Sequence, residues 1–143
     1  MIDETGAFLL DSDEFYLSDS VYISAADIRK FQLAKGAVRA GIEILLAIAA
    51  REGQAVEALF LCGGLGNYIR IDSAVKTGLI PEQLADKVRP CGNAAGVGAA
   101  MCLVNNSVMK RAEEISKNTT EVELAANPQF ADLFTEHMFF PYE

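Results

Sequence analysis

Between residues 24 and 52, apolar side chains recur at intervals of three or four: Ile28, Phe31, Ala34, Val38, Ile42, Leu45 and Ile48. Arg29, Lys35, Arg39 and Glu43 share the opposite side. That period predicts a long amphipathic helix with its apolar stripe on the core and its charges in water. Ser24-Ala25-Ala26-Asp27 is a candidate capping box at its start, and Gly53 a stop just after Glu52. The pattern before the helix is that of β structure. Phe8-Leu9-Leu10, Glu14-Phe15-Tyr16-Leu17 and Val21-Tyr22-Ile23 are separated by polar turns and read as two or three short antiparallel strands.

After the long helix the pattern alternates. An apolar strand over 58–62 runs into Gly63-Gly64-Leu65-Gly66-Asn67, which reads as a glycine turn. A short helix over 73–77 follows, with Asp72 as its N-cap, and then another short turn or helix opened by Pro81. A strand over 87–91 leads into Gly92-Asn93-Ala94-Ala95-Gly96-Val97-Gly98-Ala99, the start of a helix reaching towards Ser116. The small residues of that helix predict close packing against a neighbour. The tail reads as a strand over 121–124 and a last helix over 128–139, with Asn127 as cap and Pro128 at its first position. A short β-meander followed by alternating helices and strands defines an α/β layer architecture.

The length of 143 residues suits one domain, and neither an internal repeat nor a Pro/Gly/Ser linker divides it. Residues 1–143 are therefore read as a single unit. No apolar stretch is long enough to span a membrane, and the acidic start lacks the basic and apolar regions of a signal peptide, so a soluble cytoplasmic protein is expected. Cys62, Cys91 and Cys102 are odd in number and set among apolar residues, which predicts buried reduced thiols and no disulfide framework. A net charge of −8 opposes binding to nucleic acid, because such binding draws on Lys and Arg at the phosphates.

The chemistry worth weighing lies at the glycines. Strands give up side-chain packing for glycine where φ turns positive or where backbone must approach something closely. Gly64-Leu65-Gly66 and Gly96-Val97-Gly98 each open like a dinucleotide fingerprint, but Ile69 and Met101 stand where the third glycine belongs. No P-loop and no Asp-Xaa-Gly loop occurs. Tight turns and close packing alone would explain one such cluster. Two in succession, each at the carboxyl end of a predicted strand, point to the crevice where α/β sheets bind ligands. Lys35 and Arg39 read as a solvated basic face, with Arg39 paired to Glu43 one turn on. His137, the single histidine, has no nucleophile or metal-ligand spacing around it and reads as surface or half-buried. The three scattered cysteines cannot supply the four thiolates of a [2Fe–2S] cluster. Neither a catalytic nor a metal-binding set is identified in this chain.

Three separated runs, 27–42, 61–68 and 92–99, occur in an order that resembles one family over nearly the whole chain, down to Asn127-Pro128-Gln129-Phe130 and Phe139-Phe140-Pro141. It is the carboxyl-terminal domain of the reductive activators of corrinoid proteins, ATP-dependent ferredoxin-like proteins that rescue oxidised cobalt in methyl-transfer systems. The resemblance implies one lobe of an actin-like, ribonuclease H-like ATPase fold, in the actin, sugar-kinase and heat-shock ATPase superfamily. It implies that Gly63, Gly64 and Gly66, with Leu65 and Asn67 between and after them, line the adenosine side of an ATP cleft, and that Gly96, Gly98 and Ala99 belong to a hinge helix. Lys35 and Arg39 become candidates for the wall facing adenine or ribose. The phosphate loop, the catalytic acids and the amino-terminal [2Fe–2S] domain of that family have no counterpart here. The chain therefore reads as an excised, nucleotide-side lobe that should not hydrolyse ATP alone. A corrinoid protein is the implied partner. The competing reading is a docking or dimerisation module, binding the corrinoid protein or a second copy through apolar residues around Phe134, Met138, Phe139 and Phe140. A sugar- or acid-kinase lobe would share the cleft without the Asn93-Ala94-Ala95-Gly96 run.

Overall fold

The computed structural model describes residues 2–9 and 13–141. Strands β1 (Glu14–Ser18) and β2 (Val21–Ser24) form an antiparallel hairpin. Of the apolar run before them, Phe8 makes only an isolated bridge to Ile2, and Leu10 lies outside the described residues. The hairpin feeds directly into α1 (Ala25–Arg51) through the expected capping box: the Ser24 hydroxyl accepts from the Asp27 amide, and the Asp27 carboxylate accepts from the Ser24 amide. That reciprocal pair satisfies two of the helix's orphan amides. Gly53, at φ +68°, follows the last turn as expected.

The buried side of α1 matches the apolar stripe at Ile28, which is buried, and at Ile42, which packs on the core, but differs from it elsewhere. Phe31, Val38 and Leu45 are 40%, 47% and 52% exposed, whereas Gln32, Lys35, Gly36, Ala40, Gly41 and Ile44 are buried. Two small residues on that buried side explain the choice. A Cβ on Gly36 would lie 2.9 Å from the Phe134 carbonyl oxygen, and one on Gly41 would lie 3.2 Å from Leu124 Cδ1. The helix thus turns its least bulky strip to the carboxyl-terminal segment, and backbone approaches where larger apolar residues would hold it away.

Strand β3 (Leu59–Cys62) runs into α2 (Gly63–Tyr68), so the predicted glycine turn is a short helix entered through one positive φ, at Gly63. Helix α3 (Ile71–Lys76) starts earlier than predicted, with Arg70 rather than Asp72 at the N-cap and no side-chain cap bond. After a 3₁₀ helix at Glu82–Lys87, strand β4 (Val88–Gly92) pairs parallel to β3. Lys87 Nζ donates to the Val56 carbonyl at 2.9 Å beside that pairing. The core is built here, from Ala74, Leu79, Ile80, Leu84 and Val88, against Ile42 and Leu46 of α1 and Leu59 and Leu61 of β3.

The helix predicted as continuous to Ser116 is two helices. Helix α4 (Ala94–Val104) stops at Asn105, whose side chain accepts from the Ser107 amide and so caps α5 (Asn106–Lys117). None of α4's residues is buried, so the close packing predicted from its small residues does not occur. The predicted strand over 121–124 is not formed. Its last residue starts a 3₁₀ turn at Leu124–Ala126, where Leu124 packs on Gly41. The last helix, α6 (Phe130–Glu136), is shorter than expected, with Gln129 at the N-cap and Asn127 accepting from the Gln129 amide one turn earlier.

Candidate functional site

Strands β3 and β4 end side by side. Each ends at a glycine with positive φ, Gly63 at +83° and Gly92 at +58°, and each gives way to a helix. Only glycine adopts that backbone without strain, so these two positions are explained by the turn from strand to helix. Asn93 caps α4 by accepting from the Gly96 amide at 3.0 Å. A Cβ on Gly96 would fall 2.6 Å from Asn93 Nδ2, so Gly96 is required by the cap.

Gly64 and Gly98 have no such explanation. Both are helical with no positive φ, and a Cβ on either would meet nothing within 4 Å. Glycine inside a helix costs about 1 kcal/mol relative to alanine. Nothing among the described residues returns that cost at these two positions. Leu65, Gly66 and Asn67 complete the α2 segment that contains Gly64. The surroundings are equally open: Tyr68 is 88% exposed, and Val97, Leu103 and Val104 of α4 present apolar side chains to solvent.

Lys35 and Arg39 belong to a different neighbourhood. Lys35 is buried, and its Nζ donates to the carbonyls of His137 and Phe139, both at 2.6 Å, while lying 5.1 Å from the centroid of the Phe140 ring. Burial, and then the charge of Arg39, lowers its pKa to about 8. Arg39 is paired as expected with Glu43 at 2.7 Å, and its Nη1 donates to the Gly78 carbonyl at 3.2 Å. The two cations share a cavity of about 530 Å³ with Gly78, His137, Phe140 and Pro141. A second cavity, of about 350 Å³, continues past Arg39, Gly78 and Pro141 to Lys76 and Glu82. Among the described residues, neither cavity is lined by Gly63, Gly64, Gly96 or Gly98. Lys35 is therefore not the solvated residue predicted from its place opposite the apolar stripe. It fastens the tail onto α1.

His137 is half-buried in this cluster, and burial, followed by Arg39, lowers its pKa. The aromatic residues suggested as a docking patch mostly turn inward: Phe140 stacks on Phe31, and Met138 lies against Gly36. The cysteines depart further from expectation. Cys62 and Cys91 are exposed and Cys102 is half-exposed, where buried thiols were predicted. Outward-facing positions of a two-stranded sheet leave Cys62 and Cys91 uncovered, and Cys102 lies on α4, none of whose residues is buried. The residues that tie down the tail, Lys35 with the carbonyls of His137 and Phe139, were missed as a set. The lysine's place beside Gly36 was the one available signal. Among the described residues no group of three or more His, Cys, Asp or Glu could hold a metal ion, and no helix is long and apolar enough to cross a membrane.

This chain belongs to an ASKHA-type domain family: the family model described as the C-terminal domain of RACo, the ASKHA domain, matches residues 2–143. A curated relative, the corrinoid activation enzyme RamQ of Eubacterium limosum, is 32% identical over 120 residues, covering 84% of this chain and 20% of that protein. A solved structure, a reductive activator for corrinoid, iron-sulfur protein, is similar in fold with a TM-score of 0.80 at 24% identity, covering 99% of this chain and 26% of that one. The chain thus spans about a fifth to a quarter of the length of these relatives. The α/β lobe expected from the three sequence runs is the fold observed.

Proposed function

We propose that this domain is the carboxyl-terminal, nucleotide-side lobe of a cytoplasmic, ATP-dependent reductive activator of corrinoid proteins, and that it contributes the adenosine wall of the cleft. The observation carrying this reading is the pair of helical glycines, Gly64 and Gly98, with empty space where a side chain would stand. Both follow the carboxyl ends of adjacent parallel strands, the edge at which α/β sheets receive ligands. Gly63, Gly64, Leu65, Gly66 and Asn67 would approach the nucleoside, with Gly98 and the cap-bound Gly96 on the neighbouring helix. Arg39, paired to Glu43, and Lys35, committed to the tail, would stabilise the lobe behind that wall; a direct contact with adenine or ribose would require them to leave these partners.

In the longer protein, closure of two lobes on ATP would be coupled to electron delivery from an iron–sulfur cluster held elsewhere to the cobalt of a corrinoid protein. ATP hydrolysis requires charge stabilisation at the γ-phosphate from both lobes, so this domain alone is assigned no turnover. The apolar surface of α4 offers contact area for the corrinoid protein, for a second copy or for the remainder of the activator.

Gly64→Val tests the reading. In the full-length activator, ATP affinity measured by calorimetry should fall by at least about tenfold, a loss of roughly 1.4 kcal/mol. The melting temperature of the domain should not fall, since valine is a better helix former than glycine and meets no neighbour here. Unchanged affinity, or a loss of affinity that only follows a loss of stability, would sink the proposal.

A further inference from the structure

Cys62 and Cys91 lie together at the ends of the two parallel strands. The register pairs Phe60 with Arg89 and Leu61 with Pro90, then shifts so that Cys62 faces Gly92. The shift leaves Cys91 as the extra residue of a bulge beside Cys62. Alternation along β3 turns Leu59 and Leu61 towards the core, and Phe60 and Cys62 to the open face. On β4, Val88 is buried while Arg89, Pro90 and Cys91 are exposed, and the Cys91 thiol lies beside that of Cys62. Both thiols are exposed. The Cys91 thiol donates to the Arg89 carbonyl at 3.4 Å, and its pKa is raised by partial desolvation first and then by the adjacent Cys62. Neighbouring strands lie about 4.8 Å apart, within the roughly 4.4–6.8 Å between Cα atoms that a disulfide spans.

We propose that Cys62 and Cys91 form a redox-responsive dithiol, oxidised by a low-molecular-weight disulfide such as glutathione disulfide to an intrachain bond that cross-links the ends of β3 and β4. The first of the two to lose its proton to solvent attacks one sulfur of the small disulfide. The S–S bond of the reagent breaks, one glutathione thiolate leaves and takes up a proton, and a mixed disulfide remains on the protein. The second cysteine, deprotonated in turn, attacks the protein sulfur of that mixed disulfide and expels the second glutathione. Two protein thiols are oxidised by two electrons in all, and one small disulfide is reduced to two thiols. The new bond closes one residue before Gly63 and one before Gly92, the two glycines on which the backbone turns from strand to helix. It would fix the separation of α2 and α4 whatever those helices bind, so the inference does not depend on the nucleotide reading. Exposed disulfides of this kind are the readily reduced ones, as a reversible device requires.

The test is incubation of the native, fully reduced chain with glutathione disulfide, followed by alkylation, thiol titration and peptide mass mapping. Titratable thiols should fall from three to one, with a Cys62–Cys91 linked peptide and no glutathione retained on that pair. Cys62→Ser and Cys91→Ser should each stop at a mixed disulfide on the remaining partner, whereas Cys102→Ser should still form the bond. Phenylarsine oxide, which needs two thiols within reach, gives a second reading without oxidation: it should bind the wild type and Cys102→Ser tightly, and both single variants of the pair weakly. A wild type that retains glutathione on Cys62 or Cys91, links either of them to Cys102, or keeps all its thiols would overturn the assignment.

Discussion

Replacement of Lys35 by methionine is expected to destabilise the folded chain by about 2–4 kcal/mol, because two partly buried carbonyl acceptors lose their charged donor together. Methionine keeps the length and apolar stem of the side chain but cannot bond the carbonyls of His137 and Phe139, each now 2.6 Å from Nζ. The tail they belong to is also held by the Phe140 amide bonded to the Glu4 carbonyl, by Phe140 stacked on Phe31, by Met138 against Gly36 and by Pro141 on Gly78. Denaturant unfolding of wild type and variant measures the difference, and proteolysis should cut the variant first near residues 137–141. The lysine also gives the effect a pH dependence of definite sign. In the folded chain it releases its proton near 8, whereas in the unfolded chain it holds the proton to about 10.5. Between those values the unfolded state binds the extra proton, so stability rises with pH. The wild type should therefore gain on Lys35→Met as pH is raised from about 8 to 10.5. A difference that shrinks over this window would mean that the carbonyls and the Phe140 ring hold the ammonium as a cation more strongly than burial expels its proton.

Gly36→Val is expected to cost about 2–3 kcal/mol, the range of overpacking in a core that cannot yield. A Cβ there lies 2.9 Å from the Phe134 carbonyl oxygen and 3.0 Å from Met138 Cγ, and the first of these is backbone. The helix α6 must move off α1, and with it the aromatic stack of Phe130 on Phe134, at 6.1 Å. Gly98→Val is the internal control, since it makes the same substitution in a helix with nothing within 4 Å. Intrinsic preference alone favours valine over glycine in both helices. Thermal unfolding should thus move in opposite directions for the two variants. Equal shifts would remove the claim that Gly36 exists for close approach and Gly98 does not.

These contrasts explain which parts of the fold could be read from sequence. The Ser24-Asp27 capping box, the stop at Gly53 and the strand before Gly63 depend on neighbours within a few positions, and they appear as expected. The family resemblance rests on similarly local runs. The face of α1 differs at Phe31, Val38 and Leu45, because periodicity ranks residues by hydrophobicity, whereas the strip at Gly36, Ala40 and Gly41 is chosen by the distance of closest approach. Lys35 could not be recognised as buried because its partners are backbone carbonyls about a hundred positions away. The break between α4 and α5 hinged on Asn105 serving as a cap, which its helix-rich surroundings concealed. The closeness of Cys62 and Cys91 follows from a bulge in a parallel register that no local pattern encodes. At the candidate site, glycine content was legible but its division was not. Gly63 and Gly92 serve the turns and Gly96 serves a cap, and among the glycines whose surroundings are described Gly64 and Gly98 are left for an outside contact.

Amide hydrogen exchange on the full-length activator, with and without ATP, tests that division most directly. ATP is expected to slow exchange at residues 62–68 and 93–98 together, with little change at 35–39 and 137–141. Protection confined to the cavity of Lys35, Arg39 and Gly78, or absent from both glycine segments, would contradict it.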